Sequence, residues 1–585
     1  MTNSVRSARP RPGAAALSTR RSGLPWIDIL VAAAVLVGLY LAVRVGSGAD
    51  VSFDPSHPLT VDTDPANLPY DAARSLLRMF AALAASVVFA FAYGYAAARS
   101  RRLERVLIPA LDILQSVPVL GFLSVTVTGF IALFPGSTLG LEAAAVFAIF
   151  SAMAWNMAFA FYQASRSLPA ELDELSRDLR FTRWMRFWRI EAPNAAIPMI
   201  WNGMMSFGGA WFFLTASEAI TVLGTDQALP GVGSYAGAAI ADGDLGKVGW
   251  AILTMVVMIT AVNFLFWRPL TAWAEKFKNE QSEAAEVQRS LVLDLVRRAH
   301  WPAWAGRPCR AAADRIGRAA RVFGVDDRSL AVDPARRRAG DLAFGVAAAA
   351  LVGWGLVSLL AYLHDRTGLG VFGEPLVLGL VTLLRVIVLV VLATLVWVPV
   401  GVWIGMSPRR ARIAQPIVQV LASFPANFLF PVAMWVFLRT GLSIDIGGIA
   451  LMALGAQWYI LFNTIAGAMA IPTDLREAMD DLGVRGWQRW RRLIIPAVFP
   501  SYVTGGITAS GGAWNASIVA EVVTFGGTTL TATGLGAYIA EATGSDDFPR
   551  VLAGVAVMSL YVVVLNRLVW RRLYRLAENR FALAA

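Results

Sequence analysis

The sequence predicts an all-α membrane protein that crosses the bilayer about twelve times, in two parallel six-helix repeats. Three observations lead there. Hydrophobic residues make up 57% of the 585 and charged residues 16%, whereas soluble proteins carry roughly 25% charged residues. The deficit is concentrated in uncharged runs such as Ile29 to Val43 and Phe344 to Tyr362, and runs of that kind are membrane spans. The second half of the chain also repeats the first at a nearly fixed offset.

A hydrocarbon core of ~30 Å takes about 20 apolar helical residues. Such stretches fall near residues 27–46, 76–98, 107–134, 143–165, 197–217 and 249–269, then 342–363, 380–406, 413–438, 446–470, 501–520 and 549–570. Ahead of the first span stand Arg6, Arg9, Arg11, Arg20 and Arg21 with no acid, and behind it Asp50, Asp54, Asp62, Asp64 and Asp71 with no Lys or Arg. The positive-inside rule therefore puts the N-terminus in the cytoplasm. Arg99, Arg101, Arg102 and Arg105 follow the second span, and Arg409, Arg410 and Arg412 the eighth, on the same side. The outer cations Lys247, Arg366 and Arg439 are isolated.

Both termini are thus expected in the cytoplasm, with the chain multi-pass in the cytoplasmic (inner) membrane and lipid around it. The net charge of +11 reports orientation, and nothing beyond charge supports a nucleic-acid partner. A cleaved signal peptide is the alternative for the first segment. The long basic region before it and the lack of an Ala-x-Ala site after it favour a retained span. Cys309 stands alone, and His57, His300 and His364 are scattered, so no disulfide or metal site is expected.

The resulting division is a basic tail over 1–26, a first unit over 27–270 (core 76–270), a cytoplasmic linker over 271–341 and a second unit over 342–585 (core 380–571). The linker holds 14 Lys+Arg and 10 Asp+Glu with Pro302, Pro308 and Pro334, and reads as a tether with a short amphipathic helix around Ser290 to Arg298.

At an offset of 307, Leu76-Leu77-Arg78 matches Leu383-Leu384-Arg385, Gly94 matches Gly401, and Leu114-Gln115-Ser116-Val117-Pro118 matches Leu421-Ala422-Ser423-Phe424-Pro425. At an offset of 303, Trp155 matches Trp458 and Pro193 matches Pro496. In the same register Gly208-Gly209-Ala210-Trp211 matches Gly511-Gly512-Ala513-Trp514, Glu218 matches Glu521, and Gly231-x-Gly233-x-Tyr235 matches Gly534-x-Gly536-x-Tyr538. Six spans per repeat give both copies the same orientation, with a pathway between them the natural place for a substrate.

Between the fourth and fifth spans of the second half lies Asp474-Leu-Arg-Glu477-Ala478-Met479-Asp-Asp-Leu-Gly483, followed by Leu493-Ile-Ile495-Pro496. Asp474 and Glu477 suit the positive end of a helix, and Gly483 suits the left-handed turn that ends it. The first-half copy has Glu174-Leu175-Ser176, Arg180 in the glycine position and Pro193 at its end. Arg180 in a left-handed turn costs roughly 1 kcal/mol relative to Gly, so this turn is expected to be rebuilt.

The loop resembles the "EAA" loop of permease subunits of type I ATP-binding-cassette (ABC) importers. The Leu-x-Ser-x-Pro and Gly-Gly-Ala-Trp-x6-Glu repeats are similar to those of the nitrate/sulfonate/taurine branch. The resemblance covers about residues 76–277 and 380–580 and implies a fused pair of permease units, probing by analogy toward small anions such as nitrate, sulfonate or bicarbonate. It also implies two copies of an ABC ATPase that use ATP and Mg, an extracytoplasmic solute-binding protein, and no cofactor or catalysis in this chain. ATPase coupling would fall to Glu174, Arg180, Pro193, Glu477, Ala478, Gly483 and Pro496. No Walker-type phosphate loop occurs, since Gly246-Lys247 is followed by Val248.

Within the spans, Arg78 with Glu218 and Arg385 with Glu521 lie at matching outer depth and are expected to pair. A glutamate repels an anion, which favours a packing role. Ser116, Asn156, Trp211, Ser423, Gln457, Asn463 and Trp514 are the pathway candidates; the neutral hydrogen-bonding groups among them suit transient anion contact, with interhelical packing the other role open. A secondary transporter or channel is the alternative function. It would need buried charges for ion coupling and has no use for the Glu477 to Pro496 loop.

Overall fold

The computed structural model describes residues 51–53, 59–115, 123–222, 225–274, 291–298, 334–525 and 528–581, with isolated positions between 28 and 48 and at 276 and 315. Most of the expected span 27–46 and most of the 271–341 linker lie outside the described residues. In the first half the elements are α1 (Leu68–Arg99), α2 (Arg101–Leu114), α3 (Leu123–Leu133), α4 (Leu139–Arg166), α5 (Ala170–Asp178), α6 (Arg183–Arg186) and α7 (Ala192–Glu218). They continue with β1 (Ala219–Val222), β2 (Thr225–Ala228), α8 (Val232–Ala241), α9 (Leu245–Val262) and α10 (Arg268–Ala274). The short helix α11 (Leu291–Arg298) belongs to the linker.

The second half repeats this plan after α12 (Pro334–Thr367), which begins inside the expected linker. It runs through α13 (Gly373–Gly405), α14 (Pro408–Ser423), α15 (Phe430–Thr440), α16 (Ile444–Met469), α17 (Thr473–Asp481), α18 (Gly486–Arg489) and α19 (Ile495–Ala520). It ends with β3 (Val522–Phe525), β4 (Thr528–Thr531), α20 (Leu535–Gly544), α21 (Phe548–Leu565) and α22 (Arg571–Arg580).

Among the described residues, eight helices are long and apolar enough to cross a membrane, or nine if the bent pair Pro408–Ser423 and Ala426–Thr440 counts as one span. Two of the about twelve expected spans depart, among the described residues, from single long membrane-crossing helices. The 413–438 stretch is bent by 82°, because Pro425 has no N–H to continue the ladder and holds Phe424 extended at ψ 128°. Helix α7 departs as well: it covers the expected 197–217 but is not among the eight. Within the 107–134 stretch the described residues form α2 up to Leu114 and α3 from Leu123.

The fold is also not purely helical. Each half carries a two-stranded antiparallel hairpin directly after the repeated glutamate, with Ala219 opposite Ala228 and Val522 opposite Thr531. The β-branched runs Ile220-Thr221-Val222 and Val522-Val523-Thr524 favour this extended exit from the helix.

Two main cores form, one around Met79, Phe161 and Trp211 that also takes in Phe428 of the second half, and one around Leu389, Ile460 and Trp514. In a bilayer, apolar surface gives no net drive for helix association, so close backbone approach at small residues matters more. The duplication preserves one such crossing. A Cβ on Gly94 of α1 would lie 2.8 Å from Phe161 Cδ1 and 2.9 Å from the Ala158 carbonyl of α4, and one on Gly401 of α13 would lie 2.8 Å from Thr464 Cβ of α16.

Replacing Gly94 or Gly401 by Val is expected to cost about 1–3 kcal/mol through overpacking. Thermal unfolding of the purified chain checks this, with Gly345→Val, where no atom lies within 4 Å, expected to leave the transition unchanged.

Candidate functional site

At one end of the helical bundle the two paired charges of each half are buried side by side. Arg78 donates from Nη1 to Glu218 Oε1 at 2.7 Å and from Nε and Nη2 to the two oxygens of Glu142, both at 2.6 Å. Ser75 Oγ also donates to Glu218 Oε1 at 2.5 Å, and the Gly233 N–H to Oε2 at 2.7 Å. Glu218 is fully buried. Its carboxylate takes the space a side chain on Gly231 would need, at the N-terminus of α8, where the helix dipole favours negative charge.

The second half builds the same device. Arg385 Nη1 donates to Glu521 Oε1 at 2.9 Å and Nη2 to Asp445 Oδ1 at 2.6 Å. Thr382 Oγ1 donates to Glu521 at 2.8 Å, and Ala537 N–H to its Oε2 at 3.1 Å. Sequence reasoning missed Glu142, Asp445, Ser75 and Thr382. Glu142 and Asp445 match at the offset of 303, and Ser75 and Thr382 at 307, so the duplication carried the signal.

At the opposite end lie the two loops. Helix α5 ends with Phe181 N–H donating to the Ser176 carbonyl and Arg180 N–H to Arg177, both at 2.9 Å, while α17 ends with Val484 to Met479 at 2.9 Å and Gly483 to Asp480 at 3.0 Å. These are the same paired bonds around a left-handed residue. Arg180 has φ 48° and Gly483 φ 64°. The expected rebuilding of the first turn does not occur: the surrounding bonds hold Arg180 in the left-handed conformation at a cost of about 1–2 kcal/mol. Leu179 and Leu482, one residue earlier, stand 56% and 75% exposed, as do Glu174, Glu477 and Ala478 beside them on the same helices.

Pro193 and Pro496 open α7 and α19 immediately after π-helical segments Phe187–Glu191 and Trp490–Ile494. A proline without an N–H forces the preceding ladder to change register. The attachments of the two loops differ. Arg186, 5% exposed, donates to Glu191 at 3.0 Å and to Ser176 at 3.1 Å and pairs with Asp173 at 2.5 Å, which ties α5 to the start of α7. In the second half Arg476 and Ile494 replace Asp173 and Glu191. Arg476 donates to the Ala468 carbonyl at 2.8 Å, and its burial, with Arg489 nearby, holds it below the usual arginine range.

Between the halves lies a cavity of about 810 Å³. Asn156 and Ser423 line it. Trp211, Trp514, Gln457 and Asn463 do not: Trp211 packs edge-on to Phe207 and Trp514 stacks on Tyr561 in the cores, Gln457 accepts from Trp397 Nε1 at 2.9 Å, and Asn463 donates to the Tyr459 carbonyl of its own helix at 2.9 Å. These four are placed by helix packing, which a span's sequence leaves open until its rotation is fixed. Ser116 lies outside the described residues.

Sequence reasoning also missed Tyr459, Arg567, Arg571 and the stripe Thr504, Thr508, Gly511, Asn515, which all line the cavity. The stripe recurs every three or four residues on α19, one helix face. No Asp or Glu is among the lining residues.

Comparison with known proteins shows that the family described as binding-protein-dependent transport system inner membrane component matches residues 83–268 and 397–582. A nitrate import permease of Leptolyngbya laminosa is 27% identical over 37% of this chain and 72% of its own length. A bicarbonate transport system permease of Synechococcus elongatus is 26% identical over 35% and 70%. A glycine betaine/proline betaine transport system permease of Salmonella typhimurium is 24% identical over 37% and 57%.

Stability at both ends of the bundle is expected to follow this geometry. Glu218→Gln leaves Arg78 underpaired in a buried site and is expected to destabilise the chain by about 3–5 kcal/mol. Exchanging Arg78 and Glu218 is expected not to restore it, because the new acid would face Glu142; the Arg385–Glu521 exchange, beside half-exposed Asp445, is expected to recover more. Thermal unfolding reads both. Arg180→Gly is expected to stabilise α5 by about 1 kcal/mol and Gly483→Arg to destabilise α17 by a similar amount, measured by hydrogen exchange at the two helix ends.

Proposed function

Because the chain belongs, through both halves, to the inner membrane components of binding-protein-dependent transport systems, we propose that it forms the entire translocation pathway of an ATP-driven importer for a small anion. One observation carries the substrate class: the cavity between the halves is lined by two arginines, Arg567 and Arg571, and by no carboxylate. Field lines in a low-dielectric cavity of one sign concentrate counter-ions.

In this reading the exposed Leu179 and Leu482 ends of α5 and α17 seat in two copies of an ATPase on the cytoplasmic side. Those subunits supply ATP and Mg chemistry, and this chain supplies none. Their closing and opening moves α5 and α17. The helix that follows each loop transmits the motion, since α7 and α19 carry Gly208-Gly209 and Gly511-Gly512 into the cavity wall. The ion-pair end then faces outward, toward a solute-binding protein, and both termini lie in the cytoplasm, in keeping with the Arg-rich loops.

A betaine-like substrate is the second reading, favoured by the aromatic lining of Trp155, Phe159, Phe212, Phe424 and Tyr459, since ring faces attract quaternary ammonium groups. The two arginines oppose it.

The complex is expected to contain one copy of this chain and two ATPase subunits by native mass measurement. Reconstituted with its ATPase and binding protein, it is expected to take up nitrate or bicarbonate only with ATP. Uptake driven by an ion gradient without an ATPase would replace this reading with a secondary transporter, and uptake of glycine betaine in preference to both anions would replace the substrate class.

A further inference from the structure

We propose that the wall of the cavity at Gly208 and Gly209 is a subsite for one monovalent oxyanion, built by the hydroxyls of Ser423 and Tyr459 with the N-terminus of the helical segment Ala426–Thr440. The assignment rests on the anion reading above and deepens it.

The break at Pro425 creates a helix start inside the protein. Ala426 lines the cavity and opens a 3-10 turn, Ala426–Leu429, that runs directly into α15. The first N–H groups of such a segment have no acceptor within it and carry a partial positive charge. Broken spans present such ends to anionic groups at membrane depth.

Ser423 is the second, independent observation. It is 5% exposed, lines the cavity, and its hydroxyl makes no hydrogen bond among the described residues. Tyr459 lines the same cavity and its hydroxyl is likewise unpartnered there. Several other polar groups of the wall are committed: Thr504, Thr508 and Asn515 donate to carbonyls of their own helix, and Asn156 donates to Ser206.

The two hydroxyls lie against neighbouring residues of α7. A Cβ on Gly208 would lie 2.8 Å from Ser423 Oγ, and one on Gly209 would lie 2.5 Å from the Tyr459 oxygen. The Gln419 side-chain amide is 3.9 Å from the first of these positions. Adjacent glycines of one half therefore let hydroxyls of the other half approach the α7 backbone at the cavity wall. Tyr459 also reaches the opposite glycine pair, 3.4 Å from a Cβ on Gly512, so it stands between the halves.

The chemistry selects one charge. Hydroxyl and amide donors stabilise an anion through short charge-assisted bonds, but they supply no counter-charge. The cost of removing an ion from water grows steeply with its charge, and with few donors at the subsite and the counter-charge limited to Arg567 and Arg571 elsewhere on the wall, a monovalent oxyanion is favoured over a divalent one. A quaternary ammonium group would meet the positive end of the helix segment and is repelled there.

The test is binding of nitrate, sulfate and glycine betaine to the purified full-length chain by calorimetric titration. Nitrate is expected to bind at least tenfold more tightly than sulfate. Ser423→Ala and Tyr459→Phe are each expected to weaken nitrate about tenfold, the loss of one hydrogen bond to a charged group, with Ser423→Thr retaining affinity and the unfolding temperature unchanged in all three. Nitrate binding that is unaltered in both Ala and Phe variants, or sulfate bound as tightly as nitrate, would overturn the subsite while leaving the anion reading intact. Binding of glycine betaine without nitrate would overturn both.

Discussion

The architecture depends on a carboxylate that is fully buried and must be paired. Glu218 and Glu521 end the helices that line the cavity, and each is satisfied by three sources at once: an arginine from α1 or α13, a hydroxyl one turn away on that helix, and an N–H at the start of α8 or α20. An unpaired charge there would cost several kcal/mol. The clamp therefore fixes the rotation of α1 and α13, which sets the Gly94 and Gly401 crossings. It also fixes the exit of α7 and α19, after which each chain turns into its hairpin.

The clamped end and the loop end are joined by single long helices. Glu218 and Pro193 lie at the two ends of α7, with Gly208-Gly209 between them. A displacement of the loop helix α5 thus has a fixed end to work against and a side-chain-free section at the cavity wall where adjustment is least hindered. The π-segments before Pro193 and Pro496 place a loosened ladder at the point where the loop helix meets the membrane helix. Such segments are common at functional positions.

Duplication freed the halves to diverge. The first loop is held by the Arg186 network with Asp173, Ser176 and Glu191. The second is held by apolar packing of Ile471, Leu493, Ile494 and Val498, with Arg476 on a main-chain carbonyl. At the cavity, Asn156 of one half stands where the other has Tyr459. A homodimer of single units could not hold such differences. One consequence is that a centrally bound ligand meets chemically different walls.

Composition, charge placement and the internal repeat determined by themselves that this is a helical membrane protein of two equivalent halves, because bilayer insertion is decided segment by segment along the chain. The Arg78–Glu218 and Arg385–Glu521 pairs were legible for a related reason: an ionisable residue inside an apolar span needs a partner, and repetition at one depth names it. Even the left-handed turn at Gly483 follows from local chemistry. The corresponding turn at Arg180 does not, because there the surrounding hydrogen bonds override the residue's own preference. Helix rotation, the bend at Pro425 and the position of the cavity are decisions of tertiary packing. Trp211 and Trp514 read as pathway residues in sequence and are core residues in space, while Tyr459 went unremarked and stands between the halves. An apolar span offers almost every face as a packing surface, so which face meets lipid, core or cavity is settled only when the buried charges and close glycine contacts lock the helices against one another.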